Sequence, residues 1–443
     1  HRRVDLLLRT GKLLVESLAD TNRIVRNMKR TAAYLGIPEE KLHINVSYTM
    51  LMVNVSDGDY SFTKFQRIET HGVNMTAISE VSKLSWRAIE EDYSLDRYEE
   101  ELEKIRTKKR NYTPWQVAIG AGFACGGFCI QFGCDWMAFL YASIAAIIGM
   151  RVRAKCNESG LNHYMGIAIA AFVSTLLAWA STLLPAEWTT TPWHPLLACA
   201  LFIVPGVPLI NFVDDMLDNY IQVGIVRAVN TLLMVAAMAF GIAFAVKLCH
   251  IADFFPTISM VPHHAYWEYA IAAAISAMGF SMIFNIQRRL LWVVAIGGII
   301  AVCTRNFVNL GASTDNIGLD MGLVIGSFSG SVLVSLIAVK AVHWFHVPNH
   351  VLTIPSVIPM IPGVLMYRML FGIININVQS IDQVTPLMKA IESGVNSGLV
   401  IMVIALGVAI PNIFGRKYIA SSKNKRLAEL LKERKARGKF IEW

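Results

Sequence analysis

Between Pro114 and Phe414 the sequence is a succession of apolar runs divided by short polar breaks, and this constrains the fold more than any other feature. Several runs reach the ~20 residues that a helix needs to cross ~30 Å of hydrocarbon. Inside lipid no water satisfies backbone N–H and C=O groups, so such runs fold as helices whose hydrogen bonds close internally. Charge is distributed to match. Only 16% of the 443 residues are charged and 54% are hydrophobic, against roughly 25% charged in an average soluble domain. The charges crowd into residues 1–112 and the C-terminal end. The expectation is a mainly α membrane protein with a polar domain ahead of its membrane part.

Residues 1–113 read as a cytoplasmic α/β domain. A long amphipathic helix is predicted from about Val4 to Leu35, with Leu6, Leu7, Leu14, Val15, Leu18, Ile24, Val25 and Met28 near helical spacing. Gly36 and Pro38 stop it. His43 to Ser56 alternates and is rich in β-branched residues, Asp57-Gly58 is a turn signal, and the run from Ser61 reads as the next strand. Two helices follow, about Met75–Glu91 and Ser94–Lys108. The opening residues are amphipathic and charged with no uninterrupted apolar core, so no signal peptide is expected there. His1 in place of an initiator Met leaves a further native stretch ahead of it open.

Length and polar breaks then place about ten spans, at approximately 115–133, 136–150, 163–184, 195–213, 227–249, 266–286, 289–304, 319–341, 350–372 and 386–414. The basic segments 104–110, 151–155 and 287–289, the Lys340 to His350 connection and the 416–443 tail fall on one side. The segments 186–193, Asp253 to Tyr266 and 375–385 fall on the other. The positive-inside rule puts both termini in the cytoplasm, as in a multi-pass inner-membrane protein. Arg305, on the outer side, is the exception. The net charge of +8 sits at helix ends and in the tail, which matches anionic lipid and not nucleic acid.

The spans repeat. Trp115 to Phe132 aligns without a gap on Trp267 to Phe284: Trp115 meets Trp267, Gly127-Phe128 meets Gly279-Phe280, and in the same register Arg153 meets Arg305. Further on, Met165-Gly166 meets Met321-Gly322, Phe172 meets Phe328 and His194 meets His350. Val204-Pro205-Gly206-Val207 meets Ile361-Pro362-Gly363-Val364, Val229-Asn230 meets Val395-Asn396, and Gly241 meets Gly407. Residues 114–250 and 264–415 are thus two sets of about five spans. An odd number sends the second copy through the membrane in the opposite sense, the inverted repeat of many secondary transporters. It also explains Arg305, the mate of an inner arginine.

The fourth span of each set is broken, by IVPGVPLIN at 203–211 and by IPSVIPMIPGVLMYR at 354–368. Proline removes a donor and clashes with the preceding turn. In a membrane such breaks are tolerated only inside protein or facing water, and breaks at matching repeat positions point to a substrate site. Pro205, Gly206, Pro359, Pro362 and Gly363 are therefore candidate substrate-binding positions, with Asn211 and Arg368 just beyond the breaks and Asn230 and Asn396 at matched positions. Arg368 has three readings: forking onto a substrate carboxylate, snorkelling, or pairing with an aspartate. Asp214 and Asp215 are candidate proton-coupling groups; a solvated cytoplasmic loop is the alternative for Asp214 and Asp218. Asn230 and Asn396 either donate to substrate or join helices.

No P-loop, strand-linked GxGxxG, HExxH or GxSxG is present, so an enzyme is not expected. Seven cysteines without a CxxC pair, the four-apart Cys125 and Cys129 among them, predict no metal and no cofactor.

Three stretches carry a resemblance. LLLRTGKLLVESLADTNRIVRNMKRTAAYLGI with Gly72 to Asn74, then Asn211, Asp215-Met216-Leu217, Gly224 and Arg227, then Pro359, Pro362, Gly363 and Arg368 resemble the threonine/serine exporter family in its fused form. They are also similar to the two-subunit bacterial succinate exporter, whose subunits correspond to the two parts of this chain. The resemblance implies export of small carboxylate-bearing metabolites of the threonine or serine type, driven by protons. A dicarboxylate such as succinate is the alternative, and a channel or a membrane-bound hydrolase the alternative of another class. It implies Arg368 toward a carboxylate and Asp215 toward an ammonium. Asp214 beside Asp215 departs from the family pattern and favours a zwitterion. Membrane lipids and protons are the further partners, and a homo-oligomer stays open.

Overall fold

The computed structural model describes residues 1–443 except 58–59, 252–263, 314–315, 375–383 and 437–443. The turn expected at Asp57-Gly58, most of the Asp253 to Tyr266 loop and most of the 375–385 segment lie outside the described residues.

The N-terminal part begins with two helices, α1 (Arg2–Glu16) and α2 (Thr21–Tyr34), where the sequence predicts one. Apolar spacing runs on across the junction because both helices bury their apolar faces in the same core, through Leu7 and Leu14 on one and Ile24 and Met28 on the other. The helix is ended by local hydrogen bonding. Ala19 N donates to Leu14 O and Leu18 N to Val15 O, a closing turn that holds Leu18 at φ +59°. Glycine is the usual residue there, and a leucine in that conformation costs about 1–2 kcal/mol. Asp20 then opens α2 by accepting from Arg23 N at 2.8 Å. The strands β1 (Leu42–Val46), β2 (Met50–Asp57) and β3 (Tyr60–Arg67) form an antiparallel sheet in that order. Helices α3 (Met75–Glu90) and α4 (Leu95–Thr107) follow, each capped by a side chain, Asn74 and Ser94.

The membrane part comprises α5 (Pro114–Gln131), α6 (Trp136–Glu158), α7 (His163–Ala180), the single turn α8 (Pro195–Ala198), α9 (Gly206–Leu217), α10 (Ile221–Leu248), α11 (Tyr266–Ile283), α12 (Leu291–Asn309), α13 (Leu323–Phe345), α14 (Asn349–Val357), α15 (Gly363–Ile374) and α16 (Val384–Ala436). Among the described residues six helices are long and apolar enough to cross a membrane, and the bent pairs α8–α9 and α14–α15 raise the number to as many as eight. The sequence count of ten adds α5 and α11. These are rich in glycine and alanine, and each is 18 residues long.

Small residues let α5 and α11 touch along their backbones. A Cβ on Gly279 would stand 2.3 Å from Gly120 O, and one on Gly127 would stand 2.5 Å from Ala272 O. In the sequence repeat Gly120 corresponds to Ala272 and Gly127 to Gly279, so the two contacts exchange when the two sets are exchanged. The neighbours match as well. α5 packs on α6, α6 on α7, α7 on α10 and α9 on α10; in the second set α11 packs on α12, α12 on α13, α13 on α16 and α15 on α16.

The N-terminal domain docks on one end of this bundle. Met75 N donates to Phe284 O, Asn285 Nδ2 to Asn74 Oδ1 and Asn111 N to Asn285 Oδ1. The end of α16 reaches the same domain, where Arg434 Nε meets Asp92 Oδ1 at 2.7 Å and Nη1 donates to Tyr34 O.

Candidate functional site

The two breaks are built alike. Val204 N donates to Leu201 O and Ile361 N to Ile358 O, closing a tight turn in each set. Proline follows, and with no N–H it cannot extend the ladder. Gly206 N then reaches back to Val204 O at 2.8 Å and Gly363 N to Ile361 O at 2.9 Å. A new helix starts with Leu209 N on Pro205 O and Met366 N on Pro362 O. The bends are 59° and 63°.

The breaks also meet. A Cβ on Gly206 would lie 2.8 Å from Ile358 Cδ1 and 3.0 Å from Ile361 Cδ1; one on Gly363 would lie 2.7 Å from Leu201 Cδ2 and 3.0 Å from Val204 Cγ2. Leu201 and Val204 are the repeat-equivalents of Ile358 and Ile361. Each glycine is therefore needed for close approach to the other set's turn. Pro205, Gly206, Pro359, Pro362 and Gly363 are brought together at this crossing.

Beyond the first break, α9 carries Asn211, Asp214 and Asp215 into a buried polar cluster. All three are 2% exposed or less. The reading of Asp214 as a solvated loop residue is thus corrected: it lies within α9, under the N-terminal domain. The segment joining α1 to α2 inserts against these residues. Asn211 Nδ2 donates to Leu18 O at 2.9 Å, Arg227 Nη2 donates to Ala19 O at 2.8 Å, and Thr21 N donates to Asp215 Oδ1 at 2.8 Å. Asn22 Nδ2 donates to Asp218 Oδ2 at 2.6 Å. These bonds give the left-handed Leu18 its reason, since the turn aims two successive carbonyls at the membrane helices. Asp215 Oδ2 also lies 3.2 Å from Arg227 Nη1, both side chains being buried.

His350, at the start of α14, completes the cluster. Its Nδ1 lies 3.2 Å from Asp20 Oδ2 and its Nε2 lies 3.3 Å from Asp214 Oδ2. Asn412 of α16 stands 2.8 Å from Nε2. A protonated imidazole here faces a carboxylate on each nitrogen; a neutral one has Asn412 to donate to Nε2. Burial opposes ionisation of Asp20, but the charges of Arg23, His350 and Arg26 outweigh it and hold the carboxyl well below the usual range. Asn211 Oδ1 and both amide atoms of Asn349 are buried with no hydrogen-bond partner among the described residues. Each such atom costs ~1–3 kcal/mol unless something satisfies it.

Other candidates lie elsewhere. Arg368 is half-buried on α15. Asn230 sits between tyrosines, accepting from Tyr164 Oη at 2.6 Å and donating to Tyr48 Oη of the N-terminal domain at 3.0 Å. Its repeat-mate Asn396 lies on an exposed face of α16. Sequence reasoning missed Leu18 to Asn22, and it noted His350 only as a repeat position. The run Ala19-Asp20-Thr21-Asn22 is a helix-start signature inside an amphipathic run and was the signal available for the first.

A family model described as "Putative threonine/serine exporter" matches residues 5–249, and one described as "Threonine/Serine exporter, ThrE" matches residues 269–414. The "Probable succinate transporter subunit YjjP" of Klebsiella aerogenes is 25% identical over 243 residues, which is 55% of this chain and 92% of that protein. The protein of the same name in Escherichia coli K12 is also 25% identical over 243 residues, 55% of this chain and 93% of its own length. No solved structure matches the chain.

Proposed function

This chain belongs to the threonine/serine exporter family, and from that premise we propose that it is a secondary active exporter of small carboxylate-bearing metabolites, working by alternating access between two inverted five-helix repeats. The observation that carries the reading is the crossing of the two broken helices, where Gly206 packs on Ile358 and Gly363 on Leu201. A crossing whose contacts exchange with the two sets offers two conformations of similar energy, one open to each face. The count of ten spans and the inner-membrane orientation with both termini cytoplasmic belong to the same proposal.

In this reading the substrate occupies the crossing, with Asn211 and Arg368 toward its polar groups. Asp214 and Asp215 are the proton-coupling carboxylates. Asp214 is the better placed to exchange a proton, because it faces His350, whereas Asp215 is engaged by Arg227 and Thr21. The Leu18–Thr21 segment closes the inner mouth, since it occupies the polar end of α9. Substrates of the threonine and serine type follow from the family. Succinate is the second reading, favoured by the names of the two relatives.

The test is movement of labelled threonine, serine and succinate in proteoliposomes under an imposed pH gradient. Accumulation above equilibrium of one of them, abolished by a protonophore, is the expected result. Movement only down the substrate gradient, indifferent to protonophore, would replace the exporter by a channel.

A further inference from the structure

Arg305 lies near the end of α12 remote from the N-terminal domain. Its Nη2 donates to Gln131 Oε1 at 3.1 Å and to Asn306 Oδ1 at 3.0 Å, and its Nε donates to Asn306 Oδ1 at 3.1 Å. Gln131, the last residue of α5, is 6% exposed and Asn306 is 3% exposed. The guanidinium takes the oxygen of each amide, which fixes how both are turned: reversing either would set N–H against N–H. Both amide nitrogens are left buried, and neither Gln131 Nε2 nor Asn306 Nδ2 finds an acceptor among the described residues.

What this cluster leaves without a partner among the described residues is two buried amide N–H groups beside a cation. The guanidinium keeps its charge, and its described partners are neutral amides, with no carboxylate bonded to it among the described residues. A cation with spare N–H groups on both sides matches a carboxylate, an acceptor with two oxygens and no hydrogen to give. The repeat sharpens the point. Arg305 corresponds to Arg153, but in the same register Gln131 corresponds to Ile283 and Asn306 to Ala154. The arginine is duplicated; the two amides exist at the remote end alone, so they are not a by-product of duplication.

We propose that Arg305, Gln131 and Asn306 form a carboxylate-binding site at the outer end of the bundle. Its ligand is the carboxylate of the exported metabolite on its way out. The identity of that ligand rests on the export reading; the affinity for a carboxylate does not. The carboxylate lies against the guanidinium and takes the N–H groups of both amides.

The experiment is equilibrium binding of labelled succinate and labelled serine to the full chain in detergent, for the parent, R305Q, R305K and N306L, with thermal unfolding of each as the check on folding. R305Q is expected to weaken a component of binding by about tenfold or more, R305K and N306L by about threefold each. Choline chloride is expected not to compete. N306L keeps the charge, so it decides the matter if the arginine variants fail to fold. Binding in R305Q and N306L equal to the parent overturns the site, as does a parent that binds neither probe or that chloride competes equally. Export assays separate the two readings. Arg305-dependent binding with no gradient-driven export would sink the exporter and leave the site, whereas export with an unchanged half-saturating concentration in R305Q would sink the site alone.

Discussion

His350 stands 3.2 Å from Asp20, and through its other ring nitrogen it reaches Asp214, so one imidazole links the N-terminal domain to both broken helices. Asp20 also accepts the Arg23 N–H that opens α2 and pairs with the Arg23 side chain. Removing its charge leaves the buried Arg23 guanidinium without its carboxylate partner. Asp20→Asn is expected to destabilise by about 3–5 kcal/mol. Asp20→Ala loses the helix cap too and is expected to cost about 1 kcal/mol more. Urea unfolding of the purified protein reads both; equal, small effects would mean that the cluster contributes little to stability.

Asp215 and Arg227 form a buried pair that one substitution breaks and two remove. Asp215→Asn and Arg227→Gln are each expected to cost about 3–5 kcal/mol, and the double variant clearly less than their sum. A double-mutant cycle by thermal unfolding gives the coupling. Additive losses would show that the pair does not act as one unit.

Gly206→Ala places a methyl 2.8 Å from Ile358 Cδ1. Overpacking of this kind is expected to cost about 1–3 kcal/mol and to slow transport. Ile358→Val removes that Cδ1 and is expected to restore part of both in the double variant. If Gly206→Ala alone transports and melts like the parent, the crossing is looser than its contacts imply.

Acid is expected to destabilise the protein in two stages. Burial, then the charges of Arg227 and His163, push His71 of the N-terminal domain from 6.5 down to about 4. The unfolded chain takes up this proton below about 6.5 and the folded chain does not until about 4, so stability falls across that window. Asp20 is shifted in the same direction, because its charged form is the favoured one: its stabilisation is full above the unfolded value of about 3.9 and is lost at lower pH. Melting temperature from pH 7 to 4.5 should flatten in His71→Gln. The same slope in both proteins would clear His71 of the effect.

Coupling is read by function. Asp214→Asn is expected to abolish the response to a pH gradient while leaving downhill substrate exchange, and Arg368→Gln is expected to raise the half-saturating substrate concentration by about tenfold. Full gradient-driven accumulation in Asp214→Asn would remove it from the coupling step.

The helices of the membrane part were legible because lipid imposes length and apolarity on each, and the paired breaks were legible because Pro205-Gly206 and Pro362-Gly363 recur in matching places. What stayed hidden was docking. The break at Leu18 carries no glycine or proline, since tertiary hydrogen bonds to Asn211 and Arg227 hold the backbone where local preference would not. His350 likewise gains its neighbours only when Asp20, some 330 residues earlier by number, is folded against it. The donor cluster at Arg305 needed the amide orientations, which spacing does not encode.

Helix α16 runs from Val384 to Ala436. At ~1.5 Å per residue that is a rod of about 80 Å, against ~30 Å of hydrocarbon. Its far tip is clamped on the N-terminal domain by Arg434 at Asp92 and Tyr34. A swing of about 5° around its middle would carry that tip roughly 3–4 Å, enough to break or make a hydrogen bond. The rod has one weak joint, Pro411, where a backbone donor is missing. Any tilt of the membrane part would thus be carried to the N-terminal domain along one rod, and the turn at Pro411 is where part of it would be absorbed.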